Sequence, residues 1–341
     1  MKELNCMKSV YTYFFPEVRK LIHFDAKIPN EIYLNSTSKI KVGKILNKLF
    51  KKNLNLPPTN KKTIDLDMIH EVIINNIIYE YRNLVPSLKS FTCRYPTAGS
   101  SEGIFHLLAM LKSSGINTIY VLNGEYEGYK EYGNSLGIKT IEIYPEKQNL
   151  SKLKKGVWFI SNPSARDGNI ISNEFINKIC NLGHKVILDL AYLGSTKYYK
   201  FDIHNNNIIA VVMSFSKPYG VFRFRIGGFA FTRNPIPSLY ANKWFKDIPS
   251  LFVSLKLVEE IKPGSLYKKY SKIQKKIIDR INKEFKLGMR VSDALLLGYL
   301  TEEDTKKLTK EQLSLIEQFK RGNSYRFCLT LYYESYEKSN N

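Results

Sequence analysis

Four groups of polar residues in this chain are of the types that one reaction site needs. Ser214-Phe215-Ser216-Lys217 places an amine directly after an apolar run. A lysine amine in such a place can attack a carbonyl carbon and carry a proton. Asp189 sits near the end of another apolar run, VILDL, with Tyr192 three residues on. A carboxylate there can hold a cationic nitrogen opposite itself. Asn162-Pro163 follows a third run and supplies an amide. Thr97-Ala98-Gly99-Ser100-Ser101 leads into an amphipathic helix, whose first N–H groups, with a glycine and two hydroxyls, suit an anion. Arg223 and Arg225 follow Lys217 closely, and a guanidinium neutralises a phosphate bidentately. Each feature alone has an ordinary structural explanation as a cap, a turn or a solvated lysine. Their chain order and their common place past apolar runs single them out.

Those residues need a scaffold that brings run ends together. TIYVL (118–122), IKTIEIY (138–144), VWFIS (157–161), KVILDL (185–190), IIAVVMSFS (208–216) and RIGGFAFT (225–232) read as strands. Helical spacing falls between them at 101–115, 129–137 and 171–183, the last with Ser172 as N-cap. This alternation predicts an α/β fold with a mostly parallel sheet covered by helices on both faces. Ligands in such sheets gather beyond the carboxyl ends of the strands. Residues 66–85 read as a helix before the sheet. After about residue 235 the alternation stops: a basic amphipathic helix (268–285) is followed by strand-like segments at 293–300 and 325–333 around a helix at 308–320. The expected division is an N-terminal segment (1–40), a large domain (41–235) and a small α+β C-terminal domain (236–341), each domain with its own core.

The 341 residues are 43% hydrophobic and 13% aromatic, as in a globular protein. The formal charge of +21 comes from lysines dispersed among asparagines and isoleucines, so nucleic-acid binding is set aside. No apolar stretch is long enough for a bilayer, and the first residues lack the order of a secretory leader, so a cytoplasmic location without membrane contact is expected. The four cysteines and five histidines are scattered, which predicts no metal site.

One ligand would employ all four groups: pyridoxal 5'-phosphate. The helix N-terminus takes its phosphate, Lys217 its aldehyde, and Asp189 its protonated ring nitrogen. From about Pro96 to Phe231 the chain also resembles the fold-type I pyridoxal-phosphate enzymes, and within them the class I/II aminotransferases, including the histidinol-phosphate and aspartate aminotransferase-like branch. SFSKPYGVFRFRIGG (214–228) is similar to the family's Ser-x-Ser-Lys and Arg-(Ile/Val)-Gly segment. That likeness implies Lys217 as the Schiff-base lysine, with Ser214, Ser216 and Arg225 in the phosphate cup. TAGSSEGIFHLL (97–108) implies phosphate contacts from Ser100 and Ser101. GEYEGYKEY (124–132) implies Tyr126 stacked on the cofactor ring, while for Tyr129 and Tyr132 a core-aromatic role stays open beside a functional one. SNPSARDGNIIS (161–172) implies Asn162 on the phenolic oxygen and beside the substrate. VILDLAYLG (186–194) implies Asp189 at the ring nitrogen and Tyr192 as a second donor to the phenolic oxygen. YRFCLTL (325–331) resembles the strand whose arginine, here Arg326, grips the substrate carboxylate.

The resemblance implies an aminotransferase that moves an amino group between an α-amino acid and a 2-keto acid, working as a homodimer. A decarboxylase, lyase or oxidase on the same apparatus, or a non-catalytic basic binding protein, are the alternatives. The chain departs from the pattern at Arg166-Asp167, where Pro-Thr is usual, and at Phe222-Arg223. A neighbouring copy's tyrosine is also implied, with Tyr79 or Tyr81 as candidates. Arg321 competes with Arg326 for the carboxylate.

Overall fold

The computed structural model describes residues 3–6, 15–21, 66–221, 225–242 and 248–338. Arg223, Phe222 and the boundary placed at residue 40 lie outside them.

Seven strands form the main sheet: β1 (Cys93–Thr97), β2 (Thr118–Leu122), β3 (Lys139–Ile143), β4 (Val157–Ser161), β5 (Lys185–Leu190), β6 (Ile208–Ser214) and β7 (Gly228–Thr232). Their spatial order is β1-β7-β6-β5-β4-β2-β3. The pairs among β6, β5, β4, β2 and β3 are parallel, whereas β7 runs antiparallel to both β1 and β6. The inner strands are nearly continuous apolar runs because both faces are covered; every residue of β4 and β7 is buried. β1 was not evident from the residues, since CRYPT carries Pro96 inside it. The strand lies at the sheet edge, where a missing N–H is tolerated.

Three registers bring distant residues to one edge. Thr97 and Ser214 each pair with Gly228, and Ser161 pairs with Asp189. Thus the reversed direction of β7 brings its first residue to the edge where β1 and β6 end.

Helices position the same edge. α1 (Leu66–Tyr81) precedes the sheet. α2 (Ser100–Ser113) buries Gly103, Ile104, Leu107, Leu108 and Leu111 against it. A Cβ at Gly103 would lie 3.0 Å from Val212 Cγ1, so this glycine seats the helix close to β6. α3 (Gly128–Ser135) follows β2, and α4 (Asn173–Asn181) starts at Ser172, whose Oγ accepts from the Phe175 N–H at 3.2 Å.

Beyond β7, α5 (Ile248–Glu260) packs on α1. α6 (Ser265–Phe285) carries a buried stripe that includes Leu266, Tyr270, Gln274, Ile277 and Ile281, spaced for one helical face. The Gln274 amide donates to the carbonyls of Ser292, Ala294 and Leu297 at 2.8–3.1 Å and so ties the helix to a second sheet. That sheet has the order β10-β11-β9-β8, from β8 (Arg290–Val291), β9 (Leu297–Thr301), β10 (Lys320–Arg321) and β11 (Ser324–Cys328), with α7 (Lys310–Ile316) between β9 and β10. Residues 325–333 are not one strand: α8 (Thr330–Lys338) begins just past Cys328.

The expectation of two separate cores needs correction. One apolar cluster runs through Ile73, Leu188, Phe229, Leu297 and Phe327, so the C-terminal elements share the core of one face of the main sheet. A smaller cluster under α2 covers the other face. Each large side chain in these clusters contributes roughly 1.5–3 kcal/mol by leaving water. Among the described residues no helix is long and apolar enough to cross a membrane.

Candidate active site

A cavity of about 370 Å³ opens at the edge where β1, β5 and β6 end. Its anion-facing wall is made by Ser100, Ser101, Ser214, Ser216 and Arg225. Lys217, Asp189 and Tyr126 face it from the other sides, together with Tyr132 and Ala191.

The anion-facing wall follows from local geometry. Gly99 caps α2 at φ 86°, a conformation that favours glycine, and no side chain occupies the helix's first N–H groups. A Cβ at Gly99 would come within 2.5 Å of Arg225 Nη2, so the glycine also makes room for the guanidinium. Arg225 itself adopts φ 53°, a sparsely populated region for a side-chain-bearing residue, and it donates from Nη2 to the Ala98 carbonyl. Ser214 Oγ accepts from the Ser216 N–H at 3.1 Å, whereas Ser216 Oγ is buried with no hydrogen-bond partner. Because Ser216 lines the cavity, its hydroxyl can donate to a group bound there.

On the reacting side, Lys217 Nζ lies 4.2 Å from the centre of the Tyr192 ring and 6.0 Å from that of Tyr126, so two π faces flank its ammonium. Asp189 is buried, accepting from the Tyr129 hydroxyl and the Ala191 N–H, both at 3.0 Å. Burial pushes its carboxyl up, while the Lys217 charge and these two donors pull it down. Burial, and then the Asp189 and Glu125 charges, holds the Tyr129 hydroxyl well above its ordinary range, so it stays a donor. Of the two roles left open, Tyr129 packs in the core and also donates to Asp189, and Tyr132 lines the cavity. The three-residue spacing of Tyr129 and Tyr132 puts them on neighbouring positions of one face of α3, and that spacing is the clue the sequence carries.

Three expected site residues do not line this cavity. Tyr192 is buried, with the Lys217 ammonium over its ring. Asn162 spends its amide on the backbone of Ile171, donating to the carbonyl and accepting from the N–H, both at 2.9 Å. Arg326 is buried on β11 opposite Tyr299, and its Nη1 donates to the Ala165 carbonyl at 2.6 Å. Its competitor Arg321 pairs with Glu127 at 3.3 Å. The unusual Arg166 pairs with the adjacent Asp167 at 3.2 Å. Of the two candidate tyrosines, Tyr81 is fully buried against Phe215, and only Tyr79, 58% exposed, can face another molecule.

A buried carboxyl was missed altogether. Glu125, between Gly124 and the cavity residue Tyr126, accepts from the Ser161 and Ser164 hydroxyls and from the Ala165 N–H. Burial pushes its carboxyl up to about 7, against these three donors and with the Asp167 charge adding to the rise.

Residues 94–248 match the family model for class I and II aminotransferases. Over this stretch, a little under half of its length, the chain is similar to the class I and II aminotransferases. Solved structures share the fold of the family far beyond that stretch, at low identity. The pyridoxal-phosphate-bound C–S lyase of Staphylococcus hominis is 12% identical with a TM-score of 0.63, covering 97% of this chain and 98% of its own. The aspartate aminotransferase of Thermus thermophilus with maleate is 11% identical with a TM-score of 0.59, covering 78% and 79%. The L-threonine-O-3-phosphate decarboxylase of Porphyromonas gingivalis is 14% identical with a TM-score of 0.54, covering 81% and 96%. No curated protein sequence matches the chain. Family members depend on pyridoxal phosphate. The residues present fit that group: an orphaned buried hydroxyl and uncapped helix N–H groups beside an arginine for the phosphate, a lysine for the aldehyde, and a buried carboxylate for the ring nitrogen.

Proposed function

We propose that the chain is an aminotransferase that moves an amino group between an α-amino acid and a 2-keto acid, with pyridoxal phosphate held on Lys217. The observation that supports it most is that Lys217, Asp189 and the Ser100–Arg225 wall face one cavity. Bound there, the cofactor supplies an electrophilic carbon and a ring that accepts the electron pair released at the substrate's Cα. Ser100, Ser101, Ser214, Ser216 and Arg225 would hold its phosphate. Asp189, fixed by Tyr129 and the Ala191 N–H, keeps a negative charge buried opposite Lys217 and favours a protonated partner there. Lys217 Nζ, flanked by the rings of Tyr126 and Tyr192, is the group that takes the Cα proton and returns it elsewhere. Arg326, buried on its strand, grips the α-carboxylate with the planar fork that lysine lacks. Asn162 stays a candidate contact from its loop. The reading includes a cytoplasmic homodimer, with Tyr79 as the tyrosine available to the neighbouring copy.

Borohydride reduction of the purified protein followed by peptide mapping is expected to place one pyridoxyl group on Lys217. Turnover of the responsive amino acid is then expected to require a 2-keto acid. A label on another lysine refutes the attachment. Release of carbon dioxide, ammonia or a thiol without any keto acid refutes amino transfer and favours the decarboxylase or lyase chemistry.

A further inference from the structure

Glu125 belongs to none of the roles above, yet it is buried where a carboxyl is costly and is served by three donors. Two of its partners close the loop after β4. Ser161 ends the strand, and Ser164 exchanges backbone bonds with Asn169 and Gly168, both at 2.8 Å. The third is the N–H of Ala165, at 3.1 Å, and this N–H also reaches Ser161 Oγ at 2.7 Å. The carbonyl of the same Ala165 accepts from Arg326 Nη1 at 2.6 Å. One residue thus joins the carboxyl to the guanidinium.

We infer that Glu125 is a positioning residue: it sets the Ser161–Asp167 loop so that the Ala165 carbonyl orients Arg326 for the carboxylate of an α-amino acid. This rests on the reading of Arg326 given above. A guanidinium binds a carboxylate well only when its plane meets the two oxygens together, so a small rotation of its support weakens the pair. Removing Glu125 leaves two buried hydroxyls without their acceptor and the Ala165 N–H with Ser161 Oγ alone, and so loosens the loop that carries Ala165.

The test titrates the purified holoenzyme with the amino acid that changes the cofactor absorbance most, and reads the half-saturating concentration alongside kcat. Glu125→Ala is expected to raise that concentration about tenfold, the loss of about one charge-assisted hydrogen bond. The cofactor band and kcat should stay within about threefold, since only binding is affected. Glu125→Gln, which can still accept from a serine, is expected to restore most of the affinity. Arg326→Lys serves as the control and is expected to raise the half-saturating concentration by at least about tenfold. If Arg326→Lys weakens binding and folded Glu125→Ala does not, Glu125 has no positioning role and the carboxylate reading stands. If Arg326→Lys has no effect, the carboxylate reading fails and takes the inference with it. A loss of the cofactor band in folded Glu125→Ala also overturns it, because the residue would then act through Tyr126. Should Glu125→Ala not fold, Ser164→Ala decides, with about a threefold rise expected and an unchanged value overturning the inference.

Discussion

The wall around Ser216 and the loop around Glu125 are both dense in hydroxyls and backbone donors, but they use them in opposite ways. On the wall, the first N–H groups of α2 carry no side-chain cap and Ser216 Oγ has no partner. In the loop, Ser161, Ser164 and Ala165 direct their donors to a single carboxyl inside the protein. The first arrangement keeps one buried hydroxyl, that of Ser216, unsatisfied at a cost of about 1–3 kcal/mol, which a bound anion recovers. The second recovers that cost internally and gains rigidity instead. Donors kept in reserve make a binding site, and donors already used make a support.

The strongest way to break this contrast is at the reacting edge of the wall. Asp189→Asn is expected to keep the cofactor on Lys217 while kcat falls about 100- to 1000-fold, because a neutral amide no longer favours a protonated ring nitrogen. Turnover within a few-fold of the unaltered chain, with cofactor bound, would place the chemistry elsewhere.

A second measurement sharpens the loop side. The Glu125 carboxyl has its acidity weakened by folding, from an ordinary value near 4.5 to about 7. The folded state therefore holds the proton more tightly than the unfolded one. The stabilisation is complete below about pH 4.5 and is lost as pH rises through about 7, to a total of about 3 kcal/mol. Other charges face the same region: Asp167 across the loop, and Glu127, Lys130, Glu131, Glu142, Lys320 and Arg321 around an adjoining cavity. Urea unfolding of the unaltered chain and of Glu125→Gln at pH 5 and pH 8 separates the carboxyl from these neighbours. The difference between the two proteins should change with pH, and parallel behaviour would refute the assignment.

The smallest effect is expected at the hydroxyl that steadies Asp189. Tyr129→Phe removes one hydrogen bond and should lower stability by about 1 kcal/mol. Its loss also takes a donor from the ionised Asp189, so the acid limb of the kcat/KM profile should move to higher pH. A limb that stays in place would make Tyr129 a packing residue only.

The parallel strands were legible because strands buried on both faces are written as apolar runs, and the polar residues at their ends were therefore easy to find. Lys217, Asp189 and the Gly99 turn could be placed on one edge for that reason. What escaped was decided by partners far along the chain. Glu125 lies 36 residues from Ser161 and 39 from Ser164, and no local pattern announces that a carboxyl will be buried between them. The Asn162 amide read as available, but its partner Ile171 is on the returning arm of the same loop. Residues 325–333 alternate like a strand, yet Leu329 and Tyr333 are buried one helical turn apart, and tertiary packing turned that part into α8.

The reversal of β7 has a consequence for how the protein is made. Arg225 and Ala98, which meet in the anion-facing wall, are separated by 127 positions in the chain. Contacts so distant in sequence require closing a very large loop, and they form slowly compared with helices and neighbouring strands. During synthesis, β1 and the start of α2 emerge long before the strand that must slot in beside them. The nascent chain can assemble its parallel strands first and still lack any place for an anion. Cofactor capture is therefore a late event that reports completion of the sheet, and a ligand bound only by the finished fold stabilises that fold by mass action.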